Sequence, residues 1–309
     1  MSDFLVVGES LVDIVIPAKG ARHDAVGGSC LNVAVGLARL DVPTTLVTRV
    51  GDDVLGRLVV NHVRASDAGI APGSIVPGAR TSTATARLDE QHAASYEFDL
   101  VWDLPPQVLP DDVLGVHVGS LGAALSPGRS SVVALARAAA ESDAFVSYDP
   151  NIRPAFLDDV DAAWAEVREL AALSRLVKLS DEDLRLLRPD EPEDGVLRTL
   201  LAGEATELVL LTRGAEGARV VNDSGSFDVP APRIDVVDTV GAGDSFMAAT
   251  LALLSDWDVL SGGEGGLAAL DDDRVQLLAR GAMTAAAVTC SRRGANPPSR
   301  AELPSTWPA

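Results

Sequence analysis

Twelve residues, Asp235-Val-Val-Asp-Thr-Val-Gly-Ala-Gly-Asp-Ser-Phe246, combine an anion-binding backbone with a carboxylate that could take a proton. Gly241 and Gly243 bracket Ala242, and the apolar run from Phe246 to Leu254 reads as a helix, so a helix N-terminus starts near the glycines. Backbone N–H groups at such a terminus have no intrahelical partner, and the macrodipole adds partial positive charge. Phosphate oxygens or a developing oxyanion are stabilised there. Asp244 falls in that first turn, where it could act as a base or merely favour the dipole. The segment alone leaves both readings open.

The elements that must position this turn alternate between strand and helix, the signature of an α/β protein with a mostly parallel sheet covered by helices. Strands are expected at Phe4 to Val7, Thr45 to Val50, Val113 to Val118, Ala144 to Tyr148, Leu176 to Leu179 and Leu208 to Leu211, with a hairpin-like stretch from Ala218 to Val229. Helices are expected at Leu31 to Leu40, Val54 to Ala65, about Asp159 to Leu173, a short one from Ser180, and around Ser245 to Leu254 and Val275 to Thr289. A further helix should open at Ser126-Pro127, with Ser126 as N-cap and Pro127 at the first helical position. Thr81 to Phe98 breaks the alternation: two β-rich runs flank the polar Asp89-Glu-Gln turn, which reads as a hairpin beside the main sheet. With Leu11 to Ile16 it would form a small sheet, a lid made from roughly 11–25 and 80–104 within a single domain spanning 1–309.

With 309 residues, 47% of them hydrophobic, the chain can bury a large core. The N-terminus has no basic n-region, and the apolar runs are shorter than a membrane span, so neither a secretory signal nor a membrane segment is expected. Cys30 and Cys290 lie far apart without partners at ligand spacing, which argues against a zinc site or disulfide framework and fits a reducing cytoplasm. Lys and Arg number 25 against 45 Asp and Glu, a formal charge of −20 that disfavours nucleic acid and anionic lipid as partners. Asp190 to Asp194 and Asp271 to Asp273 read as acids of solvated loops. A bound nucleotide would need helix N-termini, oriented amides, a few basic residues and a divalent metal to overcome that field.

Two nucleotide motifs fail on inspection. Gly51-Asp-Asp-Val-Leu-Gly56 has the glycine spacing of a phosphate-binding loop, but Arg57-Leu58 stands where Lys and Ser or Thr are needed. Gly241-Ala-Gly243 opens like a dinucleotide fingerprint, yet Phe246 occupies the position where close packing requires a small residue.

Gly27-Gly-Ser-Cys-Leu-Asn-Val-Ala-Val-Gly-Leu-Ala-Arg-Leu40 resembles the N-terminal signature of the ribokinase-like (PfkB) carbohydrate kinases, and Asp238-Thr-Val-Gly-Ala-Gly-Asp244 resembles the C-terminal one. The likeness runs from about Phe4 to Pro298. It implies a three-layer α/β/α sandwich with a β-sheet lid and ATP-dependent phosphorylation of a sugar hydroxyl. Asp244 then matches the catalytic base, and Gly241, Ala242 and Gly243 the anion hole. Asp13, Gly28 and Asn32 match sugar-binding positions, where short polar groups suit hydroxyl recognition. On the nucleotide side the resemblance points to Thr212, Gly214 and Gly217, although a glycine-rich turn is an alternative for this stretch. Ser180 and Asp183 stand where the family has an Asn and a Glu that organise Mg²⁺ and phosphate, so Asp183 is expected to act on the metal indirectly. The same pair also reads as a capping box. Asp238, Val240, Thr289 and Gly294 match a monovalent-cation site suited to K⁺, with a plain cap as the other reading of Asp238.

Asp149-Pro-Asn-Ile-Arg-Pro154, Tyr96-Glu-Phe98 and Lys178 to Asp183 resemble bacterial fructokinases and 2-keto-3-deoxygluconate kinases. Arg153 would meet a sugar-acid carboxylate or the ATP phosphates, or pair with a surface acid. Fructose ranks first as substrate, 2-keto-3-deoxygluconate second, and ribose or a nucleoside third. The low aromatic content of 4% speaks against a site that stacks a base. A sugar or nucleotide sensor without catalysis is the alternative from another class, disfavoured by the presence of Asp244 beside the glycines. A homodimer joined through the lid edges is also expected, because exposed sheet edges need cover.

Overall fold

The computed structural model describes residues 3–89, 94–262 and 266–308. The chain begins with β1 (Phe4–Val7), β2 (Leu11–Ile16), β3 (His23–Gly27), α1 (Ser29–Arg39), β4 (Thr44–Val47), β5 (Val50–Gly51), α2 (Val54–Arg64), β6 (Gly69–Ile70) and β7 (Ile75–Val76). It continues through β8 (Ser82–Leu88), β9 (Ala94–Asp99), β10 (Gly115–Gly119), α3 (Ser120–Ala124), α4 (Arg129–Glu141), β11 (Phe145–Asp149), α5 (Val160–Ala171), β12 (Leu176–Ser180) and α6 (Asp181–Leu187). The last elements are α7 (Glu193–Leu201), β13 (Leu208–Thr212), β14 (Ala218–Asn222), β15 (Gly225–Val229), α8 (Ala242–Asp256) and α9 (Asp272–Cys290).

Nine strands form one sheet in the order β15-β14-β13-β12-β11-β10-β1-β4-β6, parallel throughout except for β14 and β15. Its strands are apolar on both faces, as helices on both sides require. In β1, Phe4 and Val6 join the core under α1, α8 and α9, while Leu5 and Val7 join the opposite core under α4, α5, α6 and α7. Each fully buried Val or Leu of this kind stabilises the fold by about 1.5–3 kcal/mol. Gly36 lets α1 approach α8 closely, since a Cβ there would lie 2.6 Å from the Ala248 methyl. That contact fixes the two helices whose N-termini form the site described below.

The smaller sheet runs β3-β2-β8-β9, with β2 and β8 parallel and the outer pairings antiparallel. The expected hairpin is thus present, although most of its polar turn, residues 90–93, lies outside the described residues. Asp13 pairs in register with Ala25 and Ala84, and Ala84 with Phe98. No helix among the described residues is long and apolar enough to cross a membrane.

Several local expectations are corrected. The helix after Ser126-Pro127 begins at Arg129 with Gly128 as N-cap, and the short α3 precedes it. Gly128 N–H donates to the Trp102 carbonyl at 3.0 Å, a tertiary contact that sets the helix start two residues later than the Ser-Pro signal. The strand expected at Thr45 to Val50 is divided, because Thr48 turns its N–H to Ser74 and its hydroxyl to Ser10. The acids of 190–194 and 271–273 are not all in loops. Glu193 and Asp194 open α7, and Asp272 and Asp273 open α9 behind the cap Asp271, where negative charge suits the dipole.

Candidate active site

At the carboxyl ends of β1, β10, β11 and β12, the N-termini of α1 and α8 face each other. Gly241 caps α8 in the left-handed region at φ 76°, and a Cβ there would stand 2.6 Å from the Ala295 methyl. Only glycine meets both conditions at low cost. Ala242 N–H donates to the Thr239 carbonyl at 3.2 Å, and Ser245 N–H to the Gly241 carbonyl at 2.8 Å, which sets the first turn of α8. Asp244 in that turn is buried, 7% exposed, and its carboxylate is not spent on a cap. Its Oδ1 accepts from Ser29 Oγ at 2.6 Å and its Oδ2 from Asn32 Nδ2 at 2.8 Å. Each oxygen keeps a second lone pair.

A buried ion pair stands beside this turn. Asp149 and Lys178 end adjacent strands β11 and β12, with Nζ 2.6 Å from Oδ2. Burial pushes the Asp149 carboxyl up to about 6, against the pull of Lys178. Burial also works against the Lys178 charge, but Asp149 prevails and holds the ammonium above its ordinary value. A Cβ on Gly243 would lie 3.2 Å from Lys178 Nζ, so the ammonium borders the anion-binding turn. Among the described residues, Asp149 Oδ1 is buried without a hydrogen-bond partner.

Asp183 forms the expected capping box: Ser180 Oγ accepts from Asp183 N–H at 3.1 Å, and Asp183 Oδ2 accepts from Ser180 N–H at 2.7 Å. Its Oδ1 accepts from Ile152 N–H at 2.6 Å, tying α6 to the loop that carries Arg153. Both oxygens are committed within the protein. Ser180 stands opposite Thr212 across β12 and β13, and Gly214 and Gly217 form the tight turn that follows, closed by Arg213 N–H on the Gly217 carbonyl at 2.8 Å. Exposed Val236, Val237 and Val240 give the connection into α8 an apolar surface.

In β2, desolvation raises the Asp13 carboxyl, with the Arg153 charge pulling it back. Phe98 of β9 meets Phe156 edge to face at 5.2 Å, joining the small sheet to the segment after Arg153. Gly28 caps α1 at φ 117°. Asp238 Oδ1 accepts from Val240 N–H at 3.1 Å and Oδ2 from Gly294 N–H at 2.8 Å, and these bonds hold its carboxyl below the usual range. Thr289 Oγ lies 2.8 Å from Ser245 Oγ, connecting the end of α9 to the first turn of α8.

The fold therefore brings Asp244, Asn32, Gly28 and the 241–243 turn together, with Asp13 and Arg153 on the small-sheet side. Ser180, Thr212, Gly214 and Gly217 occupy neighbouring strand ends. Ser29 and the Asp149–Lys178 pair carry no local signal of their own, although all three fall inside the stretches Gly27 to Leu40, Asp149 to Pro154 and Lys178 to Asp183. Among the described residues, no group of three or more His, Cys, Asp or Glu is placed to hold a metal ion.

The family model described as pfkB family carbohydrate kinase matches residues 1–302. A fructokinase from Rhizobium leguminosarum bv. trifolii is 34% identical over 287 residues, covering 88% of this chain and 85% of that protein. The fold is similar to that of a fructokinase from Xylella fastidiosa with bound ATP, at TM-score 0.79 and 24% identity over 95% of this chain and 93% of that one. A fructokinase double mutant from Vibrio cholerae O395, in a form with fructose, ADP and potassium ion bound, gives TM-score 0.76 and 26% identity over 96% and 94%.

Proposed function

Because this chain belongs to the pfkB family of carbohydrate kinases, we propose that it is a fructokinase, transferring the γ-phosphoryl group of ATP to a hydroxyl of fructose with Asp244 as base. The observation that carries this reading is the Asp244 carboxylate, buried at a helix N-terminus yet bonded to two side chains of another helix and free of any capping duty. Asp244 accepts the proton of the attacking hydroxyl while the new O–P bond forms. The bond from the γ-phosphorus to the bridging oxygen breaks, and ADP leaves with the electron pair. Phosphoryl transfer depends mainly on positioning and charge stabilisation. The amides of Gly241 and Gly243 and the Lys178 ammonium supply the charge, and the Ala242 amide joins them when its N–H leaves the Thr239 carbonyl. Asp13, Gly28, Asn32 and Arg153 hold the sugar, and Ser180, Thr212, Gly214 and Gly217 the nucleotide.

The donor set suits a divalent ion held largely by phosphate and water. Both oxygens of Asp183 are engaged within the protein, whereas Asp149 Oδ1 has no partner among the described residues. Mg²⁺, when bound, neutralises phosphate charge, with Asp149 and Asp183 contributing their fields. K⁺ would sit beside Asp238 and the carbonyls of Val240, Thr289 and Gly294, and stiffen the turn. The four-stranded sheet acts as a lid within a single domain spanning 1–309, and its outer strands β3 and β9 form a homodimer contact. A monomeric mass in solution scattering at working concentration removes the dimer.

ATP turnover is measured with fructose, 2-keto-3-deoxygluconate, ribose and adenosine, for the wild type and Asp244→Asn. Fructose should be turned over fastest, and the variant should lose about 10²- to 10⁴-fold in kcat. A wild type that binds sugar but turns over no ATP with any of the four would favour a sensor. Full activity in the variant overturns the base.

A further inference from the structure

Glu9 lies two residues beyond β1, is 6% exposed, and has no part in the transfer as described so far. Its Oε1 accepts from the backbone N–H of Ser29, the first residue of α1, at 3.2 Å. Its Oε2 accepts from the backbone N–H of Gly122, within α3, at 2.7 Å. One carboxylate thus satisfies amides at the starts of two helices that would otherwise be orphaned. The backbone of Glu9 grips the same turn: a Cβ on Gly28 would stand 2.5 Å from the Glu9 carbonyl oxygen. Ser29 and Asn32, in the first turn of α1, are the two donors to Asp244.

We propose that Glu9 is a positioning residue, whose ionised carboxylate clamps the first turn of α1 between β1 and α3 and so aims Ser29 and Asn32 at Asp244. The proposal rests on the reading of Asp244 as the base. A neutral carboxylic acid carries a proton on one oxygen and cannot accept equally well from both amides, so protonation loosens one side of the clamp. Burial pushes Glu9 up to about 7, the N–H bonds from Gly122 and Ser29 working against it. The ionisable groups around it are few. Cys30 of α1 has its thiol pushed well up by burial and by the charges of Glu9, Asp244 and Asp149. Asp244 comes from α8, Asp149 from β11 with Lys178 of β12, and α3 brings none.

The signs of stability and activity are opposed here. The fold binds the Glu9 proton more tightly than the unfolded chain does, so this group's contribution to stability falls as pH rises from 4.5 to about 7. Its contribution to kcat rises over the same window, because the ionised form is the clamp.

The experiment compares wild type, Glu9→Gln, Asp149→Asn and Asp244→Asn with ATP and fructose. In Glu9→Gln the amide NH₂ must face one of the two N–H donors. The expected result is a loss of about 10- to 100-fold in kcat, KM for both substrates within about threefold, and an unchanged near-UV circular dichroism spectrum. The ionisation near pH 7 should vanish from the kcat profile of Glu9→Gln and persist in Asp149→Asn. Wild-type kcat in Glu9→Gln, or retention of that ionisation, overturns the proposal. If Glu9→Gln does not fold, the wild type and Asp149→Asn decide: kcat that falls with pH below about 7 in both while the thermal midpoint holds or rises supports the clamp, and kcat flat from about pH 6 to 8 in either overturns it. An active Asp244→Asn overturns the base instead, and an inactive Asp244→Asn beside a normal Glu9→Gln overturns the clamp alone.

Discussion

Asp183 and Asp244 occupy the same local position, the first turn of a helix, and do opposite things with it. Asp183 turns both oxygens onto backbone amides and the Ser180 hydroxyl, so its carboxylate is spent on ending β12, starting α6 and anchoring Ile152. Asp244 follows a left-handed glycine that leaves the cap position without a side chain, and its oxygens meet Ser29 and Asn32, separated from it by 215 and 212 residues. Helix position alone therefore does not identify a base. What distinguishes the two is whether local backbone has already consumed the lone pairs.

The sharpest way to break this contrast is to neutralise each carboxylate in turn. Asp244→Asn should carry the largest loss of kcat, about 10²- to 10⁴-fold, with the sugar still bound by equilibrium titration. Next comes the buried cation. Lys178→Met should lower kcat by about 10²-fold by removing charge beside Gly243, and should destabilise by about 3–5 kcal/mol because Asp149 is left buried without its partner. The double variant Lys178→Met with Asp149→Asn should regain most of that stability in urea melts and little of the activity. Recovery of both would make the pair purely structural.

The turn from Gly241 to Asp244 was readable in sequence because glycine spacing and the apolar run from Phe246 are local signals. The capping box at Ser180 was readable for the same reason, as was the alternation that gives the nine-stranded sheet. Glu9, Ser29 and the Asp149–Lys178 pair were not, because their meaning comes from contacts across strand order. Asp149 meets Lys178 only once β11 lies beside β12, and Glu9 reaches Gly122 across 113 residues. The start of α4 departs from the sequence expectation for a related reason: the contact between Gly128 and Trp102 overrides a strong local Ser-Pro signal. The acids at the starts of α7 and α9 show composition misleading in another way, since clustered charge suits a helix dipole as well as a loop.

The smallest expected effect tests the other half of the contrast. In Asp183→Asn one end of the side chain becomes a donor, and it must face either Ile152 N–H or the Ser180 pair, both of which now donate to a carboxylate. Losing one such bond at a helix cap costs about 1–2 kcal/mol, which for a chain this long lowers the thermal midpoint by only a few degrees, about 2–4 °C per kcal/mol or less. Because Ile152 leads directly into Arg153, a modest rise in the sugar KM should accompany the loss, while kcat falls by less than about tenfold. If instead kcat drops as far as in Asp244→Asn with the midpoint unchanged, Asp183 acts on the transferring group itself, and its engaged oxygens must exchange partners when nucleotide binds.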